Sequence, residues 1–136
     1  MKLVIVGLGS IGLKHKTNLE NLGHKVIPCH RNDDLKKVIN RVKPDGVLIC
    51  NPTAKHLESA KICLEAQVPT FIEKPLSHNL DGVNELIHLS KTSRTLVLIG
   101  YCLRFNTQLR KLKQKLLTVK PEQIRSVKIV CKSWLP

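Results

Sequence analysis

Short apolar runs that alternate with helical segments constrain the fold of this chain more than any other feature of its sequence. The five runs are residues 2–6, 25–30, 46–50, 70–72 and 95–100. They are apolar rather than alternately apolar and polar, which is typical of strands covered on both faces of a parallel sheet. Helices that connect such strands make right-handed crossovers. The sequence therefore predicts an α/β fold, a doubly wound and mostly parallel sheet with helices on both faces.

Capping residues and breakers set the bounds of the predicted helices. Three of these helices cover residues 10–22, 54–67 and 105–117. Another begins at Asp33 or Asp34 and runs to Arg41, and one more begins at Ser77 or Asn79. Residues 123–134 instead alternate as in an antiparallel strand with one covered face. We therefore expect a first domain over residues 1–120. Residues 121–136 would be the start of a second, α+β domain that is otherwise missing, as in a truncated protein.

The chain is strongly basic, with 23 Lys and Arg against 10 Asp and Glu and a formal net charge of +13. This charge raises nucleic acid as a partner. The spread of basic residues over every predicted helix and an aromatic content of only 3% count against that partner. Residues 101–120 hold six basic residues and no acidic one. That stretch is either a solvated helix face or a surface for a phosphorylated ligand or an acidic partner.

No run in the sequence is long and apolar enough for a transmembrane helix or a secretory signal. We therefore expect a cytoplasmic protein with no membrane partner. The five Cys stand 13 to 39 residues apart and form no CxxC pair. Their odd number and spacing predict neither a disulfide framework nor a metal site, so we interpret them as small hydrophobic residues.

A glycine motif follows the first predicted strand and opens the first helix. It reads Gly7, Leu8, Gly9, Ser10, Ile11, Gly12. Its three glycines suit a tight turn, close approach of the backbone to a pyrophosphate, and close packing of the helix on the strand. The N–H groups and the positive dipole end of that helix attract phosphate. Residues 7–12 are therefore predicted to bind a dinucleotide.

The residues after the second strand bear on which dinucleotide binds. An acid that binds the ribose of NAD is expected there, but His30, Arg31 and Asn32 come before Asp33, the first acid. Arg31 can pair with a 2′-phosphate, with Asn32 and His30 as further donors. Alternatively, Arg31 is a solvated loop residue and Asp33 binds the ribose. We favour NADP over NAD.

Polar residues also follow the third strand, and ligands of such sheets bind beyond the carboxyl ends of the strands. Cys50, Asn51, Pro52 and Thr53 are expected to line the cofactor, with His56 one turn into the next helix. Pro52 and Thr53 are also typical residues for the start of a helix.

Glu73 and Lys74 follow the fourth strand. Charged side chains at the end of a buried strand must be solvated, form an ion pair, or take part in binding or catalysis. Lys74 can position a substrate hydroxyl or shuttle its proton. A structural ion pair is the alternative.

Four motifs in order resemble one family across essentially the whole chain. GLGSIG at 7–12, NPTAKH at 51–56, EKP at 73–75 and GYCLRF at 100–105 are similar to the N-terminal domain of the Gfo/Idh/MocA oxidoreductases. This is the group of glucose–fructose oxidoreductase and inositol dehydrogenase. The resemblance implies a Rossmann domain that binds NADP or NAD.

The resemblance also implies roles for particular residues. Lys74 would contact the nicotinamide ribose and the reacting hydroxyl of the substrate, and Glu73 would orient the lysine or the cofactor. Asn51 and Pro52 would flank the cofactor, and Arg104 would reach toward the substrate. His15 lies where the family often has a histidine, and we interpret it as a core residue.

In this family a second domain carries most substrate contacts and the acid/base His and Asp. The resemblance therefore implies a protein that reversibly oxidises a sugar or cyclitol hydroxyl, with Lys74 assisting a histidine outside this sequence. We expect the 136 residues alone to bind cofactor and to turn over little or nothing. A non-catalytic dinucleotide-binding regulator or scaffold is the alternative. Exposed strand edges near the tail are compatible with a homo-oligomer, and the sequence leaves the oligomeric state open.

Overall fold

Two units make up the chain, Met1–Tyr101 and Cys102–Pro136. The computed structural model describes residues 1–130. Within these residues, no helix combines the length and the apolar character that crossing a membrane requires.

The first unit is a sheet with its connecting helices. The strands are β1 (Lys2–Val6), β2 (Lys25–Cys29), β3 (Gly46–Ile49), β4 (Thr70–Ile72) and β5 (Val97–Ile99), and the helices are α1 (Ser10–Asn21), α2 (Leu35–Val42), α3 (His56–Glu65) and α4 (Val83–Ser93). The strand order is β2-β1-β3-β4-β5, and every neighbouring pair is parallel. This order confirms the predicted doubly wound α/β fold.

Different helices cover the two faces of the sheet, because successive strand residues point to opposite faces. Ile49 and Ile72 are paired between β3 and β4, and both are fully buried in a core that includes residues of α2, α3 and α4. Phe71 points the other way. Its ring meets the edge of the His15 ring of α1, with centroids 5.7 Å apart. α1 therefore lies on the face opposite to α2, α3 and α4.

Helix α4 begins at Val83, later than the predicted start at Ser77 or Asn79. The Asn79 side chain donates to the Asp81 carboxylate at 2.6 Å and accepts from the Asp81 N–H at 3.3 Å. Gly82 then takes a φ of 75° directly before the helix. Local side-chain hydrogen bonds of this kind offer the backbone an alternative to the helix, so the helix starts after them.

The second unit contains α5 (Thr107–Leu116) between two 3-10 turns, Cys102–Phe105 and Pro121–Gln123. Asn106 caps α5, because its Oδ1 accepts from the N–H groups of the residues two and three positions on, at 3.0 and 3.1 Å. Residues 124–130 form no strand, so the predicted strand over 123–134 does not form in its described part. Residues 131–136 lie outside the described residues. The start of a second domain at residue 121 stays a prediction.

Candidate functional site

The candidate site lies where β1 and β3 run side by side. The chain leaves β1 for β2 on one side and then crosses to β3 on the other. At such a switch point the loops at the carboxyl ends of the strands diverge and leave a crevice for a ligand. A cleft of about 820 Å³ opens there. Its lining residues are Val6, Gly7, Leu8, Gly9, Cys29, His30, Arg31, Asp33, Asp34, Leu35, Cys50, Asn51, Pro52, Lys55, Glu58, Ser59 and Ile62.

The predicted cofactor-binding residues divide evenly between those that line this cleft and those that do not. The lining ones are Gly7, Leu8, Gly9, His30, Arg31, Cys50, Asn51 and Pro52. Those outside the lining are Ser10, Ile11, Gly12, Asn32, Thr53, His56, Glu73 and Lys74.

Sequence reasoning missed one wall of the cleft, which α3 and the turn before it supply. Lys55, Glu58, Ser59 and Ile62 lie along this wall. Their spacing of three, four and seven residues places them on one side of a helix. That spacing, in a helix that follows a strand ending at the site, is the signal that could have found them.

The three glycines of the loop have different surroundings. Gly7 has a φ of 87°, and a Cβ there would lie 2.7 Å from the main chain of Asn51. A Cβ on Gly12 would lie 2.1 Å from the carbonyl oxygen of Gly7. A Cβ on Gly9 would meet no atom of the described residues within 4 Å. Gly9 is also the N-cap of α1, where no side chain satisfies the helix N–H groups. Open space and uncapped N–H groups thus meet at one point, an arrangement that binds phosphate.

Both acids after β2 are engaged in local hydrogen bonds. The Asp33 carboxylate accepts from the main-chain N–H of His30 at 2.7 Å. Asp34 is the N-cap of α2 and accepts from the N–H of Lys37 at 3.1 Å. Arg31 is exposed and lines the cleft, and it forms no ion pair within the part of the chain that the structure describes. Arg31 therefore offers its guanidinium to a ligand in the cleft.

Asn51 leaves one polar atom without a partner. Its Nδ2 donates to the Ser59 hydroxyl oxygen at 2.9 Å, which fixes the side-chain amide against α3. Its Oδ1 is buried and has no hydrogen-bond partner among residues 1–130. A buried acceptor without a donor is costly. A ligand hydroxyl or amide group in the cleft would satisfy it.

Glu73 connects α1 to the loop after β4. One carboxylate oxygen lies 2.6 Å from Nε2 of His15, and the other accepts from the N–H of Lys74 at 3.1 Å. The His15 side chain is 28% exposed, so the interpretation of His15 as a core residue is wrong. A Cβ on Gly100 would lie 2.8 Å from Cζ of Phe71, so a larger residue there would push against the ring that packs on His15. Lys74 is exposed and, within the described range, makes no ion pair.

His56 is buried and does not line the cleft. Its Nδ1 lies 2.9 Å from the carbonyl oxygen of Pro75, and its Nε2 lies 2.8 Å from the carbonyl oxygen of Asn51. Both ring nitrogens are therefore engaged with the main chain rather than with the space that a ligand would fill.

Cys50 lines the cleft as an unreactive thiol. Burial, together with the smaller effect of the nearby Glu73 carboxylate, raises the pKa of Cys50 to about 12. Since the thiolate is the nucleophilic form, Cys50 contributes shape to the site rather than covalent chemistry.

Arg104 belongs to the second unit, where it is exposed in the 3-10 turn Cys102–Phe105. Its predicted role on the substrate side stays a prediction.

The parallel sheet, the glycine loop and the cleft at the switch point define a nucleotide-binding α/β domain of the Rossmann type. Residues 20–101 match the Gfo/Idh/MocA family model, whose description is an oxidoreductase family with an NAD-binding Rossmann fold. This chain belongs to the Gfo/Idh/MocA oxidoreductase family, which confirms the resemblance found in its motifs.

Several proteins that are similar to this chain are named as dehydrogenases. The myo-inositol 2-dehydrogenase of Thermotoga maritima is 29% identical, in a match that covers 84% of this chain and 40% of that protein. The inositol 2-dehydrogenase of Mycolicibacterium smegmatis is 22% identical, over 83% of this chain and 39% of that protein. This chain therefore spans about two fifths of the length of the curated relatives that it matches.

Solved structures share the fold. A scyllo-inositol dehydrogenase from Lactobacillus casei, with bound NAD(H) and scyllo-inositol, superposes with a TM-score of 0.72 at 23% identity. That superposition covers 85% of this chain and 40% of the other. A probable dehydrogenase from Thermotoga maritima superposes with a TM-score of 0.69 at 27% identity, over 86% of this chain and 41% of the other.

Proposed function

We propose that this chain is the cofactor-binding part of an oxidoreductase that moves a hydride between NADP and a hydroxyl-bearing carbon of a sugar or cyclitol. The observation that carries the proposal is the open space at Gly9, next to the uncapped start of α1. The adjoining cleft of about 820 Å³ is large enough for a dinucleotide. The inositol dehydrogenases among the relatives support a polyhydroxylated substrate.

The residues present fit such a cofactor. The pyrophosphate would lie against Gly9 and the first N–H groups of α1, where both the donors and the helix dipole favour an anion. The unpartnered Oδ1 of Asn51 would accept a hydrogen bond from a hydroxyl or amide of the cofactor. Leu8, after β1, and Pro52, after β3, contribute apolar surface to the lining of the cleft.

NADP is the proposed cofactor in preference to NAD, because of the charges at the end of β2. Asp33 and Asp34 are engaged with main-chain N–H groups, whereas Arg31 has no ion pair within residues 1–130. A guanidinium can bind a phosphate through two parallel hydrogen bonds. Arg31 would therefore bind the 2′-phosphate, with His30 and Asn32 beside it.

The preference for NADP is tested by substitution of Arg31. In Arg31→Ala we expect the affinity for NADPH to fall about tenfold, or about 1.4 kcal/mol, while the affinity for NADH stays the same. Higher salt should weaken NADPH binding more than NADH binding, because the contact is exposed. Lys36→Ala, an exposed change on α2 outside the cleft lining, is the control. Tighter binding of NADH by the wild-type chain would contradict the proposal and favour a ribose contact by Asp33.

The proposed reaction assigns one catalytic residue to this chain. Bound NADP supplies the hydride acceptor, or in the reverse direction NADPH supplies the hydride. Lys74 would donate a hydrogen bond from Nζ to the substrate hydroxyl, and Glu73 would orient the loop that carries it through its bond to the Lys74 N–H. Arg104 is proposed to contact the substrate.

We expect the 136-residue chain to bind cofactor without turning substrate over, since it spans about two fifths of its catalytic relatives. Absorbance at the NADPH band, with NADP and myo-inositol or glucose present, measures this directly. Hydroxyl-dependent reduction of NADP by the purified chain would contradict it. Loss of activity in Lys74→Met, measured in a longer protein that contains this domain, separates an oxidoreductase from a non-catalytic dinucleotide-binding scaffold.

The proposed compartment is the cytoplasm. Cys29, Cys50, Cys63 and Cys102 are free thiols in the structure, which suits a reducing compartment.

A further inference from the structure

His56 lies between the loop after β3 and the loop after β4, although it does not line the cleft and is almost fully buried. It is 2% exposed and starts α3. One ring nitrogen faces the carbonyl oxygen of Asn51, after β3, and the other faces that of Pro75, after β4. A single side chain thus spans two segments that are far apart along the chain.

The His56 ring contacts both carbonyl oxygens at ordinary hydrogen-bond length, 2.8 and 2.9 Å. A carbonyl oxygen accepts a hydrogen bond and never donates one, so a ring nitrogen that carries hydrogen donates to the carbonyl that it faces. The imidazole ring therefore lies buried against the main chain of both segments.

The loop held by His56 carries Lys74. The Lys74 side chain is exposed and has no ion pair in the described part of the chain, so its own contacts do not fix it. Its main chain is held on both sides instead. Glu73 accepts from the Lys74 N–H at 3.1 Å, and His56 binds the carbonyl oxygen of the next residue, Pro75.

We propose that His56 is a positioning residue, which ties the loop after β3 to the loop after β4 and so sets the place of Lys74 relative to Asn51. Ser59, one turn further along α3, fixes the Asn51 side chain from the same helix at 2.9 Å. The start of α3 therefore aligns a cofactor-facing amide with the lysine. The proposal rests on the proposed role of Lys74 in the reaction.

Nuclear magnetic resonance of the wild-type 136-residue chain tests the buried attachment first. A ¹⁵N–¹H correlation is expected to show a His56 ring N–H that exchanges slowly with solvent, because the ring is buried against both carbonyl oxygens. Exchange of that ring N–H as fast as in the exposed His88 would overturn the attachment. This measurement needs no variant and no cofactor.

The positioning role is then tested in His56→Gln, which keeps a donor but cannot reach both carbonyls from one nitrogen. The matched control is His88→Gln, an exposed change on α4. In the cofactor-free variant we expect the amide resonances of Asn51 and Lys74 to shift while those of Val4 and Ile5 in β1 stay in place. The affinity for NADPH should fall several-fold in His56→Gln and stay unchanged in His88→Gln.

Three outcomes would overturn the positioning role. If the amide resonances of β1 shift as much as those of Asn51 and Lys74, His56 has only a general structural role. If the Asn51 and Lys74 resonances stay in place, His56 does not hold these loops. If His56→Gln binds NADPH with wild-type affinity, His56 has no effect on the site. Failure of the wild-type chain to bind NADPH would instead count against the proposed function. The resonances of the cofactor-free protein would still decide the role of His56.

Discussion

Gly9, the N-cap of α1, and Gly12, in its first turn, lie three residues apart. Substitution by Ala should nevertheless weaken cofactor binding at Gly9 and lower stability at Gly12. In Gly9→Ala the new Cβ meets no described atom within 4 Å, and the backbone φ of −65° is an ordinary one. We expect the free energy of unfolding to change by less than about 1 kcal/mol. The affinity for NADPH should fall about tenfold, because the methyl group enters the space proposed for the pyrophosphate.

Gly12→Ala is the matched partner of that change. Its Cβ would lie 2.1 Å from the carbonyl oxygen of Gly7, so the helix must move away from the strand. We expect a loss of about 3 kcal/mol in the free energy of unfolding, as for severe overpacking. Urea unfolding measures both variants. Equal stability of the two would contradict the different roles assigned to these glycines.

The thiols provide a second prediction at this scale. Burial raises the pKa of Cys50 and of Cys63 to about 12, while Cys102 is exposed. At pH 8, iodoacetamide should therefore modify Cys102 well before Cys50 or Cys63, as peptide mass spectrometry would show. Rapid modification of Cys50 in the folded chain at pH 8 would contradict this assignment.

The same pKa shifts predict how stability depends on pH. The buried thiols ionise at a higher pH in the folded chain than their ordinary 9.0. Their contribution to the free energy of unfolding is therefore complete below about pH 9 and declines toward pH 12.

At the scale of elements, the start of α2 depends on one side chain. Asp34 accepts from the N–H of Lys37 at 3.1 Å and caps the helix. Asp34→Ala should lower the free energy of unfolding by about 1 kcal/mol, the usual cost of losing an N-cap. Thermal or urea unfolding checks this, with Glu65→Ala, an exposed change at the end of α3, as control. A loss equal to that of the control would exclude a capping role.

The central strands β1, β3 and β4 were predictable because burial on both faces leaves a continuous apolar run, which is visible in a single sequence. The edge strand β5 has a similar apolar run, although its Leu98 is 54% exposed. The start of α4 was not predictable, because Asn79 and Asp81 bond to each other and to the backbone before Gly82. Whether such residues cap a helix or form a turn ahead of it depends on local geometry. For the same reason Asn106, rather than Phe105, marks the start of α5.

At the scale of the whole molecule, the sequence indicated which strand ends form the site but not how the loops are held there. The glycine loop and the polar residues after β3 could be predicted from position, since ligands bind at the carboxyl ends of the strands. The pairing of His15 with Glu73 and the two carbonyl contacts of His56 join residues distant in sequence. No periodicity records such contacts, so the sequence alone indicates neither of them.

The central claim is that the cleft at the switch point binds a dinucleotide, and calorimetric titration tests it most directly. The purified chain would be titrated with NADPH and then with NADH, after circular dichroism has shown that it is folded. We predict saturable binding of one NADPH per chain, with weaker binding of NADH. Heats no larger than dilution for both nucleotides, from a folded chain, would contradict the claim.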